Sequence, residues 1–276
     1  MNTRTRLALA LGLGLAALLS VPRADADVVL YNQGFENPNG FVNDGGDINI
    51  ARSVNQLYGN QPPGFTFTQT NTVETLHLTG NQAFGTGYSD PQKIGGNYAL
   101  GMLSGLNSEN DLLGLSFNLQ GFNFLNFRLD ISSIDLDRFS GPFNAASGSV
   151  PLFDIVLFDN PTGATNLSGN GTVLDTVRIT GLPSVSRSSL NWSEQTVGLN
   201  AALSTNGNVT VRIDLVSSVT NSRYAALDNF LIVASNTRGA VPEPSTLALL
   251  TIGAGLLAVR RRRRGRHGVQ PTEIGE

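Results

Sequence analysis

Cysteine is absent from the chain, and histidine, lysine and tryptophan are nearly absent. The histidines are His77 and His267, the single lysine is Lys93, and the single tryptophan is Trp192. Without cysteine there can be no disulfide, no catalytic thiolate and no zinc–thiolate centre. Because His77 is the only histidine between the two ends of the chain and His267 follows the C-terminal arginines, a multi-histidine metal site is excluded as well. A domain of this composition must be stabilised by its core, by bound ions, or by both.

Positive charge is scarce except at the two ends of the chain. The sequence has 18 Lys and Arg residues against 21 Asp and Glu residues. Half of the basic residues lie at the ends, so residues 27–239 keep 9 basic and 17 acidic side chains and a net charge of −8. Such an acidic surface argues against nucleic-acid binding and suits cations or a polar matrix.

The first 26 residues have the three parts of a secretory signal peptide. Arg4 and Arg6 form a basic region, Leu7–Leu19 is apolar, and Ala24-Asp25-Ala26 matches the A-x-A cleavage pattern. We therefore expect export, followed by cleavage by signal peptidase. The passenger that remains, residues 27–239, has the size of one large domain.

The C-terminal end carries a second three-part pattern. Val241, Pro242, Glu243 and Pro244 precede a 13-residue apolar run, Leu247–Val259. A basic membrane stop follows, formed by Arg260, Arg261, Arg262, Arg263 and Arg264. As a helix the run spans ~20 Å, and snorkelling arginines bring it near the ~30 Å of a bilayer core. Arginines beside a membrane segment favour the cytoplasmic side of the membrane. The prolines should therefore lie at the outer face of the membrane, where they keep the backbone extended.

This arrangement resembles the PEP-CTERM sorting signal of Gram-negative bacteria. The resemblance covers residues 240–264 and implies processing by an exosortase, a membrane-embedded cysteine protease or transpeptidase. It implies a precursor anchored in the inner membrane by one transmembrane helix, and a product in the cell envelope, at the outer surface or outside the cell. The polar tail 265–276 departs from the family pattern, which usually ends soon after the arginines. An ordinary C-terminal anchor and a buried core helix with a basic tail are the alternatives.

Between the two ends the sequence has the short alternating pattern of β-strands. Val209, Val211, Ile213 and Leu215 alternate with polar residues, as a half-buried strand requires. Clusters of Gly, Asn, Pro and Ser separate such runs, and no stretch keeps a helical period for long. Strands are predicted at 28–31, 65–70, 72–78, 97–103, 112–119, 122–131, 152–158, 172–179, 191–199, 209–216 and 226–233. Many short strands at this spacing indicate an all-β fold, an antiparallel β-sandwich.

Two stretches resemble parts of jelly-roll carbohydrate-binding modules. Asn32-Gln33-Gly34-Phe35-Glu36 resembles their first strand, and Ala226–Val233 resembles their last. The resemblance implies a jelly-roll-like sandwich in which the first and last strands are neighbours.

The same resemblance implies a structural Ca²⁺ near the first and last strands, with carboxylates from Glu36 and Asp228. Ca²⁺ takes six to eight oxygen ligands, some of them backbone carbonyls. The glycine-rich loop Asn43–Asp47 can supply further oxygen ligands, including the carboxylate of Asp47. Alternatively this loop is a solvated turn, and Asp228 with Asn229 only hydrogen-bonds a neighbouring loop.

Candidates for catalysis are few. A Ser-His-Asp triad could use only His77, which has no nucleophile elbow near it, so we expect a histidine on a strand surface. Asp135 and Asp137 are the nearest local pair of carboxylates for glycosidase chemistry. They fit a salt bridge with Arg138 at a sheet edge equally well.

Aromatic side chains suggest one mode of ligand binding. Rings stack on sugars, and Trp192, Tyr58 and Tyr88 are candidates for such a platform. Core packing is the alternative for a lone tryptophan in a strand.

We therefore expect an exported, non-catalytic binding or structural protein of the extracellular matrix or biofilm. Exopolysaccharide is the partner class that the sorting signal implies, and structural Ca²⁺ is the expected cofactor. A secreted carbohydrate-active hydrolase and a purely structural, self-associating surface protein are the alternatives.

Overall fold

The structure, a computed structural model, describes residues 27–104, 111–134, 150–216 and 224–239, together with Val241. The predicted signal peptide, the carboxylates Asp135 and Asp137, and the sorting signal from Pro242 onward lie outside the described residues. The strands within these ranges are β1 (Val28–Gln33), β2 (Ile48–Asn49), β3 (Thr66–Gln69), β4 (Glu74–His77), β5 (Tyr98–Leu103), β6 (Leu112–Asn118), β7 (Phe124–Ser133), β8 (Leu152–Asp159), β9 (Val173–Thr180), β10 (Ser193–Asn200), β11 (Asn208–Leu215) and β12 (Tyr224–Ser235). Two short helical elements accompany them, the α-helix α1 (Val54–Leu57) and a 3₁₀ turn at Ala83–Gly85.

The strands form two antiparallel sheets. Sheet A has the order β10-β7-β12-β5-β4-β2, and β1 pairs with β12. Sheet B has the order β3-β6-β11-β8-β9. The first and last strands are neighbours, with Gln33 opposite Phe230. The predicted all-β, jelly-roll-like antiparallel sandwich is therefore confirmed.

Alternating side chains from both sheets build the main core. On β11 the predicted inward set, Val209, Val211, Ile213 and Leu215, is buried. It meets apolar residues of sheet A, including Phe127 and Phe230. Burial of this apolar surface is the main force that holds the two sheets together.

A second, smaller core covers the outer face of sheet A. Leu190 and Trp192, from the connection before β10, pack with Leu76, Ala99 and Ala226. Sheet A is therefore covered on both faces in this region, which explains why some of its strands are buried without clear alternation.

No helix in the described ranges has the length and apolar character needed to cross a membrane. The predicted transmembrane segment lies after Val241, outside these ranges.

Candidate functional site

A β-bulge in the last strand brings several polar side chains together. β12 pairs with β7 as far as Asp228, which lies opposite Asp130, and pairing resumes at Leu231. Asn229, inside the bulge, has φ of 52°, a conformation that asparagine adopts more readily than most residues. Its side-chain amide donates a 2.9 Å hydrogen bond to Asp130 Oδ2. The bulge therefore interrupts the pairing of β12 with β7 directly after Asp228.

Asp228 is a buried carboxyl group with an incomplete set of hydrogen bonds. It is 1% exposed. Its Oδ1 accepts a 2.7 Å hydrogen bond from the backbone N–H of Asn229, whereas Oδ2 is buried without a partner in the described ranges. Burial raises the pKa of Asp228 to about 9, although the Asn229 N–H opposes that shift. The charges of Glu36, Asp130 and Asp90 also contribute to this raised pKa, so the group holds a proton at neutral pH.

Glu36 reaches the same place from the end of the first strand. Both of its carboxylate oxygens accept hydrogen bonds from the backbone N–H of Asn97 at 3.0 Å, and Oε2 also accepts one from the Asn97 side chain at 3.0 Å. Gly96 has φ of 56°, and a Cβ at this position would overlap Glu36 Oε1. Glycine therefore makes room for the carboxylate.

Glu36, Asp90, Asp130 and Asp228 form a group that we call the acidic centre. Asp90 accepts hydrogen bonds from the backbone N–H groups of Lys93 at 3.0 Å and Gly95 at 2.9 Å. Crowding of acidic groups in a partly buried place is unfavourable unless protons or cations compensate.

The chemistry of the acidic centre suits a hard cation. The unpartnered Asp228 Oδ2 is a carboxylate oxygen of the kind that Ca²⁺ prefers, and Glu36 adds a second carboxylate. In the described part of the chain, no set of three or more His, Cys, Asp or Glu side chains is arranged to hold one metal ion. An ion held by Glu36 and Asp228 would therefore take its remaining oxygens from backbone carbonyls or water.

Asp47, the third predicted calcium ligand, has a different environment. Its Oδ2 accepts hydrogen bonds from the backbone N–H groups of Gln82 at 2.5 Å and Ala83 at 2.8 Å. Asn43 Nδ2 donates to Oδ1 at 3.2 Å, and Asp47 is not among the groups whose charge shifts the pKa of Asp228. The structure thus uses Asp47 to fix a turn, and it places Asp130 and Asp90 beside Glu36 and Asp228 instead.

Trp192, the predicted sugar platform, lies in the second core at 2% exposure. Gly95 covers its ring so closely that a Cβ there would lie 2.6 Å from Trp192 Cζ2. The backbone N–H of Trp192 donates to Gln92 Oε1 at 2.6 Å. Tyr58 is also buried, and Tyr88 is half-buried. In this conformation the Trp192 ring packs in a core and offers no face to a sugar.

His77 lies on β4, as predicted, in an aromatic group. Its ring stacks on Tyr98 with centroids 4.8 Å apart, and Phe41 packs edge-on against it at 5.7 Å. Its Nε2 is 3.2 Å from Thr79 Oγ1. Within the described ranges, these contacts of His77 are to aromatic rings and a threonine, and none is to a serine that could act as a nucleophile.

The outer face of sheet B carries charged residues that the sequence analysis did not single out. Asp154 on β8 lies directly opposite Asp214 on β11. Arg178 donates to both oxygens of Asp154 at 2.6 and 2.8 Å. Arg212 donates to both oxygens of Asp214 at 2.8 and 2.9 Å, and its guanidinium lies 5.0 Å from the ring centroid of Phe158. We call Arg178, Asp154, Asp214 and Arg212 the charged row.

The charged row is electrostatically balanced, and it is open to solvent mainly at Arg178. Two carboxylates opposite each other would repel, and each is neutralised by its own arginine. Burial raises the pKa of Asp214, Arg212 lowers it, and the charge of Asp154 raises it. The Arg178 side chain is 57% exposed. The alternation of apolar and polar residues in β11 indicates that Arg212 and Asp214 face outward. Only the pairing of β11 with β8 shows that Asp154 lies beside them.

Comparison with protein families locates one known signal in the chain. Residues 240–264 match the PEP-CTERM protein-sorting motif. The match covers the predicted processing residues, Val241 to Pro244, and the membrane-stop arginines. The chain therefore carries the sorting motif that its sequence predicts. Among curated proteins none matches the chain.

Several solved structures are similar to the sandwich. The K1 cleaved adhesin domain of Lys-gingipain from Porphyromonas gingivalis W83 is 14% identical, with 77% of this chain and 99% of that chain covered and a TM-score of 0.38. A xylan-binding domain of carbohydrate-binding module family 22 is 14% identical, with 77% and 98% covered and a TM-score of 0.38. The Stig cyclase Fisc from Fischerella sp. TAU is 15% identical, with 76% and 98% covered and a TM-score of 0.40.

Proposed function

We propose that this chain, which carries a PEP-CTERM sorting motif, is a non-catalytic polysaccharide-binding protein of the cell envelope or extracellular matrix. The motif implies export, a membrane-anchored precursor and exosortase-dependent processing. Signal peptidase would act at the other end of the chain. The released or attached product would then meet exopolysaccharide as its partner.

The observation that carries the binding proposal is the charged row on the outer face of sheet B. In a bidentate Arg–Asp pair, the guanidinium and the carboxylate hold each other in a fixed orientation. The carboxylate keeps unused lone pairs and the guanidinium keeps unused N–H groups, and both can bind sugar hydroxyls. Sugars are rich in such donors and acceptors, and the exposed Arg178 presents its end of the row to them without a deep cleft. Because the row contains both signs of charge, it suits neutral or mildly acidic glycans.

The acidic centre supports a structural role for Ca²⁺ in this function. An ion held by Glu36 and Asp228 would connect the first and last strands of a domain that has no disulfide. It would displace the proton of Asp228 and satisfy the unpartnered Oδ2. The ion would thus stabilise the sandwich, at a place separate from the charged row.

A secreted hydrolase is the alternative, because Asp154 and Asp214 are opposed carboxylates on one face. Retaining and inverting glycosidases both need two carboxyl groups at short separation. Here both oxygens of each carboxylate accept a hydrogen bond from an arginine, so neither carboxyl group can act on a sugar unless that pair opens. The geometry therefore supports binding better than hydrolysis.

Affinity electrophoresis of the mature protein in gels that contain purified exopolysaccharide or neutral glucans tests the proposal. We expect retardation by at least one polysaccharide, weakened about tenfold or more by Arg178→Ala, since one charge-assisted contact is worth ~1.5–3 kcal/mol. Glu194→Ala, which removes an exposed side chain of sheet A, is the matched control and should leave retardation unchanged. Absence of retardation, or equal loss in the control, contradicts the proposal. If the protein releases sugars from the polysaccharide and Asp214→Asn abolishes this release, the protein is a hydrolase instead.

A further inference from the structure

The chain does not leave the sandwich freely after its last strand. The four residues Asn236, Thr237, Arg238 and Gly239, which we call the clasp, follow β12 and turn onto sheet A. Asn126 of β7 donates from Nδ2 to the carbonyl of Thr237 at 2.8 Å. Its Oδ1 accepts from the backbone N–H of Gly239 at 2.7 Å. One side chain of the sheet thus binds both a carbonyl and an N–H group of the clasp.

Arg238 makes a second attachment, to β10 and β9. Its Nε donates to the carbonyl of Gly198 at 2.8 Å, and its Nη2 lies 3.3 Å from Asp175 Oδ2. Asp175 Oδ2 also accepts a 2.8 Å hydrogen bond from the backbone N–H of Asn200. The clasp therefore contacts strands of both sheets.

Gly198 allows the clasp to lie close to β10. A Cβ on Gly198 would lie 2.7 Å from Arg238 Cγ and 2.8 Å from the backbone nitrogen of Gly239. The Arg238 side chain is flexible and could move aside, but the Gly239 nitrogen is backbone. Any residue larger than glycine at position 198 would therefore push the clasp away from β10. This close approach gives a way to open the clasp without removing a hydrogen-bonding side chain.

The sorting motif begins at residue 240, directly after the clasp. An extended chain spans at most ~3.6 Å per residue, so the stretch from the anchored Gly239 to Pro242 can reach no farther than about 11 Å. A protease that binds extended substrate needs free backbone N–H and C=O groups on both sides of the cut. In the clasp, the carbonyl of Thr237 and the N–H of Gly239 are already bonded to Asn126.

We propose that the clasp restrains exosortase processing, so that the enzyme obtains the motif only when residues 236–239 detach from the folded sandwich. This rests on the proposed sorting by an exosortase and adds a regulatory step to it. Local opening of such a segment requires only a few hydrogen bonds to break, and it can occur without unfolding of the two sheets. The folded passenger would then set the rate at which its own membrane tail is processed.

Pulse–chase of the full chain in an exosortase-containing host, with intact mass as the readout, tests the restraint. We expect Gly198→Ala, which pushes the clasp away, and Arg238→Ala, which removes two contacts, each to speed conversion of precursor to product by about fivefold or more. Each change weakens the attachment by at least the net contribution of about one hydrogen bond. Glu194→Ala, on the same strand as Gly198, is the control and should match the wild type. Insertion of a flexible Gly-Ser linker between Gly239 and Ala240 should speed the wild type and abolish the difference between it and the variants.

The possible failures are distinguishable. Equal rates for the wild type, both clasp variants and the linker chain would overturn the clasp while leaving the sorting intact. Slower conversion in the clasp variants would overturn it as well, because the enzyme would then depend on the attached conformation. If even the linker chain is never processed, the proposed sorting itself fails. Melting temperatures of the purified variants should lie within a few degrees of the wild type. This control excludes general unfolding as the cause of faster processing.

Discussion

The carboxyl groups of Glu36 and Asp228 lie close enough for the charge of Glu36 to raise the pKa of Asp228. One follows the first strand and the other belongs to the last, and these strands pair side by side. A cation at this position would fasten the two ends of the passenger domain to each other. In a chain without cysteine, that connection would do what a disulfide does in many exported domains.

Chelation should therefore lower the stability of the mature protein. An ion at 100 times its Kd adds ~2.7 kcal/mol, and for a domain of this size that corresponds to a melting temperature about 5–10 °C higher. Differential scanning calorimetry with excess Ca²⁺ and with EDTA measures this difference. Asp228→Ala and Glu36→Ala should shrink it, whereas Glu194→Ala should preserve it. An EDTA effect of the same size in all proteins would place the ion elsewhere.

The protein without metal should lose stability as the pH rises. The pKa of Asp228 is raised to about 9 in the fold, mainly by burial, so the folded state keeps a proton that the unfolded state releases near its ordinary pKa. Between about pH 4 and pH 9 the unfolded state binds fewer protons, and the free energy of unfolding must fall with pH. Urea titrations in EDTA at several pH values measure this slope, and Asp228→Asn should flatten it. A slope that Asp228→Asn leaves unchanged would assign the effect to other groups.

Gly96→Ala should damage the acidic centre beyond the strain of its backbone conformation. A left-handed φ alone costs an alanine ~1–2 kcal/mol. Gly171→Ala supplies a matched control, because Gly171 has φ of 79° and a Cβ added there would meet nothing within 4 Å. At Gly96 the added methyl group also overlaps Glu36 Oε1, so we expect a larger loss and a smaller Ca²⁺ response. Chemical denaturation of both variants gives the comparison, and equal losses would mean that Glu36 moves aside freely.

Trp192 offers a direct optical test of its position. As the single tryptophan, packed in the second core, it should emit at short wavelength and resist quenching by iodide. Added polysaccharide should leave this emission unchanged, since the ring faces no ligand. Trp192→Ala should lower the free energy of unfolding by ~3–5 kcal/mol, as for other large core side chains. Solvent-exposed emission that shifts with polysaccharide would restore Trp192 as a binding platform.

Much of the fold follows from the local pattern of the chain. Each of the predicted strands has a counterpart, and the alternation of Val209 to Leu215 gave the inward face of β11 correctly. The two-residue strand β2 was missed, because Ile48–Asn49 is too short to show a period. Trp192 was placed on a strand, but β10 begins one residue later. Whether its ring lies in a core depends on Gly95 in another loop, which no local pattern shows.

The candidate sites depended more on long-range pairing. The resemblance of the first and last strands implied Glu36 and Asp228, and the structure brings these two together. Asp130 and Asp90 join them because of the register of β7 with β12 and a turn before β5, neither of which the sequence specifies. The charged row likewise needs the register of β8 with β11. The clasp depends on Asn126 and Gly198, and neither residue stands out from its strand in the sequence.

The most direct test of the account is the intact mass of the protein purified from its native envelope. The sorting motif predicts a product that has lost the membrane segment and the arginines from Arg260 to Arg264, with a C-terminus at or near Pro242–Pro244. The signal peptide before Asp27 should be missing as well. A mass that still includes the basic terminus, in protein that is otherwise mature, would contradict the account.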